Sequence, residues 1–360
     1  DSHKASPLVP NGYVVFKQDN WAAFGALNIL CGGGSLAYAN GLPAVNEPIR
    51  LAATMGAYGD LSDEIVDSTG LAALGTSKLM GAINVEMMSM GIAPSVGGSY
   101  RINDMVSASV GARYIHMTKR STATFVRGGA NGIDVKLLDA EYTANGYAGI
   151  LGADIKPLEK LNVGVTFETP TKLEYEIDIK KDRSDGDVVS KMGGNPDGGK
   201  FRYDLPAKLN LGAEYNVTDN FKVMTSFIYY FSKWMKMEAV DSEGNRINLD
   251  EKTHAYEIGA GYEWKFMQNV AWTGGVVWDY INQPEEQTGD KLYKNECINI
   301  GTGFSIYPND KTKFTIGFMR NIYPDLKKKD AETALLTQEY DATYHKESWV
   351  VAVGMQYNFM

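Results

Sequence analysis

The reading of the fold turns on CINIGTGFSIY, residues 297–307. Ile298, Ile300, Thr302, Phe304 and Ile306 share one face of an extended chain, and Asn299, Gly301, Gly303 and Ser305 share the other, because successive side chains of a strand point to opposite sides. The second face is small as well as polar. A strand of a soluble sandwich turns Lys, Glu and Arg toward bulk water on that side. Small polar residues suit the lumen of a closed barrel whose other face meets lipid.

The same pattern recurs along the chain. In KLNLGAEYNV (208–217), Leu209, Leu211, Ala213, Tyr215 and Val217 oppose Asn210, Gly212, Glu214 and Asn216. In LNVGVTFET (161–169), Leu161, Val163, Val165 and Phe167 oppose Asn162, Gly164, Thr166 and Glu168. AYEIGAGYEW (255–264) and VAWTGGVVWDY (270–280) place Trp264, Trp272, Trp278 and Tyr280 on their apolar faces. The final segment, SWVVAVGMQYNFM (348–360), sets Trp349, Val351, Val353, Met355, Tyr357 and Phe359 against Gly354, Gln356 and Asn358. It ends on an aromatic residue followed by Met360, a small departure from strands that terminate on the aromatic itself.

Connections sharpen the assignment. KQDN, INDM, KPLEKL, VTDN, FMQN and PNDK are short and turn-like, and they alternate with long polar connections near 35–80, 120–143, 170–202, 233–252, 282–294 and 323–345. Short turns on one side and long loops on the other mark outer-membrane barrels. Six hairpins and the final segment make thirteen strands, the first near residues 9 to 18. Single-chain bacterial barrels have an even number, so one further strand is expected ahead of the first. The fold class expected is an all-β transmembrane antiparallel barrel of about fourteen strands, residues 1–360 forming a single domain.

Composition agrees. The 360 residues carry a net charge of −9 with acidic and basic residues intermixed, which excludes the basic footprint of a nucleic-acid binder. No run of about 18 apolar residues reads as a transmembrane helix, and the opening DSHKASPLVP has neither the basic nor the apolar region of a signal peptide. Cys31 and Cys297 fit no metal spacing, and two thiols or one disulfide are both open. The four histidines, at 3, 116, 254 and 345, lie in no nucleophile elbow and no His-Glu-x-x-His motif, which argues against a barrel-embedded enzyme. Neither cofactor nor metal is expected.

One stretch conflicts with its own strand: GALNILCGGGSLAYANGLP (25–43) runs into Gly32, Gly33 and Gly34. Glycine within a strand marks a bulge, a bend or a close approach. An opened ladder inside a membrane is tolerated only where the backbone lines a cavity. The bland alternative is that the glycines end the strand.

The segments VPNGYVVFKQDNWAAFGALNI (9–29), SVGGSYRINDMVSASVGARYIHMTKR (95–120) and DLPAKLNLGAEYNVTDNFKVMTSFIYYFSKW (204–234) resemble the FadL-type long-chain fatty-acid transporters of Gram-negative outer membranes, a family that includes channels for aromatic hydrocarbons. The resemblance spans most of the chain in order. It implies a fourteen-stranded monomeric barrel, a lumenal N-terminal plug of about forty residues, and an inward kink in the third strand that opens a lateral window toward the outer leaflet. Gly32, Gly33 and Gly34 fall where that kink falls. Plug and first strand have no counterpart in the sequence given. The connection at 120–143 is short for the family's capture groove, whereas 44–80 is long and partly helix-like, with Leu61, Ile65 and Val66 as a weak apolar stripe.

The function implied is outer-membrane uptake of long-chain fatty acids or similar hydrophobic molecules. The alternatives are small aromatic hydrocarbons, which need no carboxylate partner, or general diffusion. The expected partners are the hydrophobic ligand, outer-membrane lipid and lipopolysaccharide. Candidate carboxylate contacts are Arg113, turned into the lumen by the outward phase of Val106, Ala108, Val110, Ala112 and Tyr114, with Lys119 and Arg120 nearer the rim; Arg suits a carboxylate's two oxygens. The competing reading pairs Arg113 with an inward Glu168, Glu214 or Glu257. Met87, Met88 and Met90 are candidates for an adaptable apolar tunnel, with lipid-facing packing as their other role.

Overall fold

The computed structural model describes residues 9–39, 49, 82–127, 133–184, 196–240, 245–249, 254–282, 296–331 and 340–359. Its strands are β1 (Gly12–Gln18), β2 (Trp21–Tyr38), β3 (Ala82–Arg101), β4 (Val106–Arg127), β5 (Ile133–Leu158), β6 (Leu161–Glu168), β7 (Glu174–Asp182), β8 (Lys200–Arg202), β9 (Ala207–Thr218) and β10 (Phe221–Phe231). They continue with β11 (Met237–Val240), β12 (Arg246–Leu249), β13 (His254–Met267), β14 (Val270–Asn282), β15 (Cys297–Asn309), β16 (Thr312–Ile322), β17 (Leu326–Ala331), β18 (Tyr340–Tyr344) and β19 (Glu347–Tyr357).

Thirteen of these pair in the order β1-β2-β3-β4-β5-β6-β9-β10-β13-β14-β15-β16-β19, every neighbour antiparallel. This is the thirteen-strand meander expected from the alternation. Among the described residues β1 and β19 end the path without pairing to one another. Among the described residues the path holds neither the fourteenth strand nor the plug that the resemblance implies.

The two faces are inverted relative to a soluble protein. Ile298, Ile300, Phe304 and Ile306 on β15, and Val351, Val353 and Met355 on β19, are all exposed, while Ser305 on the opposite face is 1 % exposed. Exposed side chains that large and that contiguous need an apolar solvent. Aromatic residues bound the band. Trp264 pairs with Trp272 beside the short turn, and Tyr256 pairs with Tyr280 eight residues farther along both strands. At roughly 3.3 Å per residue and a tilt of about 40°, that separation is on the order of 20 Å, close to the apolar height of an outer-membrane barrel. On β4 and β5 the outer limit is the Tyr114–Tyr147 pair, rings 5.3 Å apart.

Beyond that level the long connections carry structure of their own. The span expected as a loop at 120–143 is mostly hairpin, because β4 runs on to Arg127 and β5 begins at Ile133; its outward residues turn polar, so the strands leave the lipid without ending. The connection at 170–202 forms β7, which pairs with β5, and β8, and 233–252 forms the β11–β12 hairpin. Two buried carboxylates tie these together. Asp204 accepts the backbone N–H of Leu173 and Lys236, and Glu238 accepts that of Arg202 at 2.9 Å with Lys236 Nζ at 2.6 Å. Burial works against the Glu238 charge, yet these contacts hold its carboxyl below its ordinary value.

One close approach dictates a glycine. Leaving β6, the chain passes over Gly146, where a Cβ would lie 2.7 Å from the Lys172 carbonyl and 2.4 Å from Thr171 Cγ2. Val276, outward and midway between the aromatic levels, tests the membrane assignment. Val276→Arg is expected to lower stability by about 2–4 kcal/mol, the range for a cation at the bilayer midplane, as read by urea unfolding from lipid vesicles.

Candidate functional site

The inner wall is unusually bare. Gly97 pairs with Gly111, Gly164 with Gly212, Gly261 with Gly275, Gly275 with Gly301 and Gly303 with Gly317. These glycines sit on the lumenal phase of their strands, and five cross-strand positions between β3 and β16 therefore carry no side chain on either strand. Small barrels fill their interior with side chains; at these pairs the wall itself adds none. At Gly97 the space is taken by Phe24, whose ring tip would lie 2.3 Å from an added Cβ.

Polar layers flank these pairs. On the turn side, Lys222 meets Glu214 at 3.2 Å and Glu263 at 3.6 Å. On the outer side, Arg113 Nη1 donates to both Glu168 oxygens at 2.6 and 2.8 Å, and Lys208 Nζ reaches the same carboxylate at 3.2 Å. Tyr230 donates to Glu257 at 2.6 Å, and Asn299 donates to Asp279 at 2.7 Å. Arg113 therefore has an inward carboxylate as its partner, and two cations share one Glu168. Among the described residues, Arg113 Nε, Asn162 Oδ1, Asp279 Oδ1 and Asn321 Oδ1 are buried without a hydrogen-bond partner.

Above Arg113 the same phase of β4 becomes apolar. Ile115 and Met117 pack with Ala93, Ala144, Leu173 and Tyr175 in a buried cluster, with Leu30, Tyr142, Phe201, Tyr203 and Leu205 against it. Lys119 continues that phase, and its ammonium lies 4.5 Å from the Tyr175 ring centre and 4.9 Å from that of Tyr203, a cation–π seat. Arg120 points the other way. It pairs with Asp139 at 2.6 Å on the outside of the ribbon, where Lys136 joins at 3.0 Å. The structure thus brings Arg113 and Lys119 to one wall and separates Arg120 from both.

Leu30 reaches the cluster because β2 is bulged. Ile29 pairs with Ile92 and Cys31 with Gly91, leaving Leu30 as the extra residue; Gly32 pairs with Met90 and Ser35 with Met88, so Gly33 and Gly34 oppose Ser89 alone. The glycine run is neither a strand end nor a gap: the ladder resumes at Ser35 and continues to Tyr38. Of the methionine candidates, Met87 has the lumenal phase of Val85 and Ala93, while Met88 and Met90 have the outward phase of Val96. Cys297 is a free buried thiol, which removes the disulfide alternative. Leu61, Ile65 and Val66 lie outside the described residues.

Lys208, Leu30, Tyr175 and Tyr203 were not singled out by motif. EYEIDIK (174–180) does carry the period-two pattern that buries Tyr175 and Ile177 and exposes Glu174 and Glu176, inside the long polar connection at 170–202.

Residues 76–359 match the family model described as outer membrane protein transport protein (OMPP1/FadL/TodX). The chain belongs to that family. Its members are outer-membrane transport channels rather than enzymes. Among solved structures, a Pseudomonas aeruginosa FadL homologue superposes with a TM-score of 0.64 over 98% of this chain and 78% of its own, at 14% identity. The P. putida toluene transporter TodX gives 0.57 over 97% and 82%, at 11% identity. At those identities the likeness is one of fold. No curated protein matches by sequence.

Two predictions follow from the ion pairs. Glu168→Leu leaves Arg113 and Lys208 facing each other across an apolar side chain, and stability should fall by roughly 3 kcal/mol, as for other broken buried pairs; Arg113→Met in addition should restore most of it in denaturant titrations. Outside the membrane band, the hydrogen bond from Arg120 holds Asp139 down to about 2, against the opposing effect of burial. A depressed carboxyl stabilises above its ordinary value and loses that contribution as pH falls through the folded one. The stability gap between the native chain and Asp139→Asn should be full at pH 6 and close between about pH 4 and 2.

Proposed function

We propose that this member of the family takes up long-chain fatty acids, or hydrophobic molecules with one anionic end, and releases them sideways past the glycine bulge of β2. The observation that carries this reading is the apolar cluster at the outer end of the lumen, with Lys119 seated above it and Leu30 of the bulged strand packed into it. An acyl chain gains about 0.8 kcal/mol for each CH₂ taken from water, so an apolar wall supplies affinity in proportion to length. A carboxylate at the chain's end finds Lys119 first and the Arg113–Glu168–Lys208 group, which carries one net positive charge, next. Because Gly33 and Gly34 oppose one residue, a shift of that bulge changes the wall locally while the rest of the ladder holds.

A second reading, uptake of small aromatic hydrocarbons, has its own support. Glu168 already partners Arg113 and Asp139 already partners Arg120, the cluster includes stacked Tyr175 and Phe201 rings 5.4 Å apart, and the toluene transporter TodX shares the fold.

Uptake of labelled oleate beside labelled toluene, in cells lacking their own fatty-acid channel, separates the two. Under the first reading oleate enters, Lys119→Met slows it several-fold, and replacing Gly32–Gly34 by Val-Thr-Val stops it while folded barrel persists. Entry of toluene alone, indifferent to Lys119, decides for the second. Oleate uptake that survives the glycine replacement rejects the lateral exit.

A further inference from the structure

On the lipid-facing side, across the sheet from the lumenal Tyr230–Glu257 pair, a cavity of about 90 Å3 is lined by Tyr229, Phe231, Ser232, Lys233, Trp234 and His254. Its residues carry the outward phase. Tyr229 pairs with Tyr256, which lies two residues from exposed Ile258 on the same face of β13, and His254 shares that phase. The cavity sits at the long-loop end of β10, where the strand passes into the short 3-10 turn Ser232–Trp234.

The wall is aromatic and fixed. The Phe231 and Trp234 rings stack 4.5 Å apart, Tyr229 meets Phe231 edge-on at 4.9 Å, and Phe167 lies 6.1 Å from Phe231. The turn is held from behind: Met235 N–H closes on the Ser232 carbonyl at 3.1 Å, and buried Asp204, itself paired with Arg202, accepts the Lys236 N–H at 3.0 Å. Among the described residues no carboxylate lines the cavity, whereas a lysine and a histidine do. Lys233 and His254 are exposed, and Trp234 is 57% exposed.

A surface of this make at an outer interface has a specific complement. Aromatic rings sit at headgroup level, and a cation beside them attracts an anionic headgroup with about 1 kcal/mol. We propose that this cleft is a binding site for a phosphorylated glycolipid of the outer leaflet, its phosphate on Lys233 and His254 and its first acyl chain along Phe231, Trp234 and Phe167. The long-loop side is the outer side, which selects that leaflet's anionic lipid over the phospholipid of the inner one. The site holds the barrel's outer collar of hairpins, through Asp204, at a set depth in the membrane.

The test is native mass spectrometry of the full chain in neutral detergent, titrated with a bisphosphorylated diglucosamine lipid, its dephosphorylated form, phosphatidylglycerol and phosphatidylethanolamine. One bisphosphorylated lipid should be retained in preference to the other three. Lys233→Gln should cut its occupancy roughly fivefold, the factor that corresponds to one headgroup cation, with Lys233→Arg restoring it. Trp234→Ala should weaken the phosphorylated and dephosphorylated lipids alike. Lys17→Gln, at the opposite end of the barrel, is the control. Equal occupancy in Lys233→Gln, equal loss in Lys17→Gln, or equal retention of the dephosphorylated lipid each overturns the proposal, and preference for phosphatidylglycerol overturns the choice of glycolipid. Folding of every variant is read by heat-dependent gel migration, and the exposed Lys233 is not part of the barrel's ladder.

Discussion

Every backbone N–H and C=O within the hydrocarbon must find a partner in the protein, and that requirement organises this molecule. Hydrocarbon offers no hydrogen bonds, so an unpaired group there costs several kcal/mol. Antiparallel pairing in sequence order satisfies the requirement with six tight turns, and the Asp19 residue in left-handed conformation at φ 49° shows how short the first of them is. The same requirement explains the behaviour of Gly32–Gly34. A true gap in β2 would leave two strands' groups bare; a bulge displaces one residue and lets the ladder resume. The irregularity is thus accommodated while the ladder continues to Tyr38.

The second consequence is the inversion of polarity. With lipid outside, apolar bulk goes outward and whatever is polar must be neutralised within. The inner charges accordingly occur in cross-strand sets, Arg113–Glu168–Lys208 and Glu214–Lys222–Glu263, each joining adjacent or next-adjacent strands. Between those layers the wall is glycine against glycine. At those pairs the wall contributes no side-chain bulk to the interior. Above it the filling changes character: Tyr175, Leu173 and Phe201 come from the β7–β8 excursion rather than from the meander, making the outer end of the lumen apolar by addition. The buried Asp204 and Glu238 that fasten this excursion are charged groups outside the lipid, where water and basic neighbours make burial tolerable.

Much of this was legible from residues alone. Alternation of period two, with a small polar second face, dictates strands between lipid and lumen, and the turn residues set their number and order; a one-residue slip would put Ile298 and Ile300 into the lumen, so register is fixed by solvent preference. That Arg113 faces inward also follows from phase. What phase cannot supply is the partner across strands distant in sequence. Glu168, Glu214 and Glu257 are equivalent on a single strand's pattern, and only the order β4-β5-β6-β9 brings Arg113, Glu168 and Lys208 together. Likewise the direction of Arg120, the seat of Lys119 on Tyr175 and Tyr203, and the division of Met87 from Met88 and Met90 depend on where strands outlast the membrane and on which excursion folds back. The sequence by itself determined an inside-out, antiparallel barrel, because solvent preference is local to each residue; the tertiary structure alone decided which charges meet and where the lumen turns apolar, because those contacts are made between residues that only the order of strand pairing brings near.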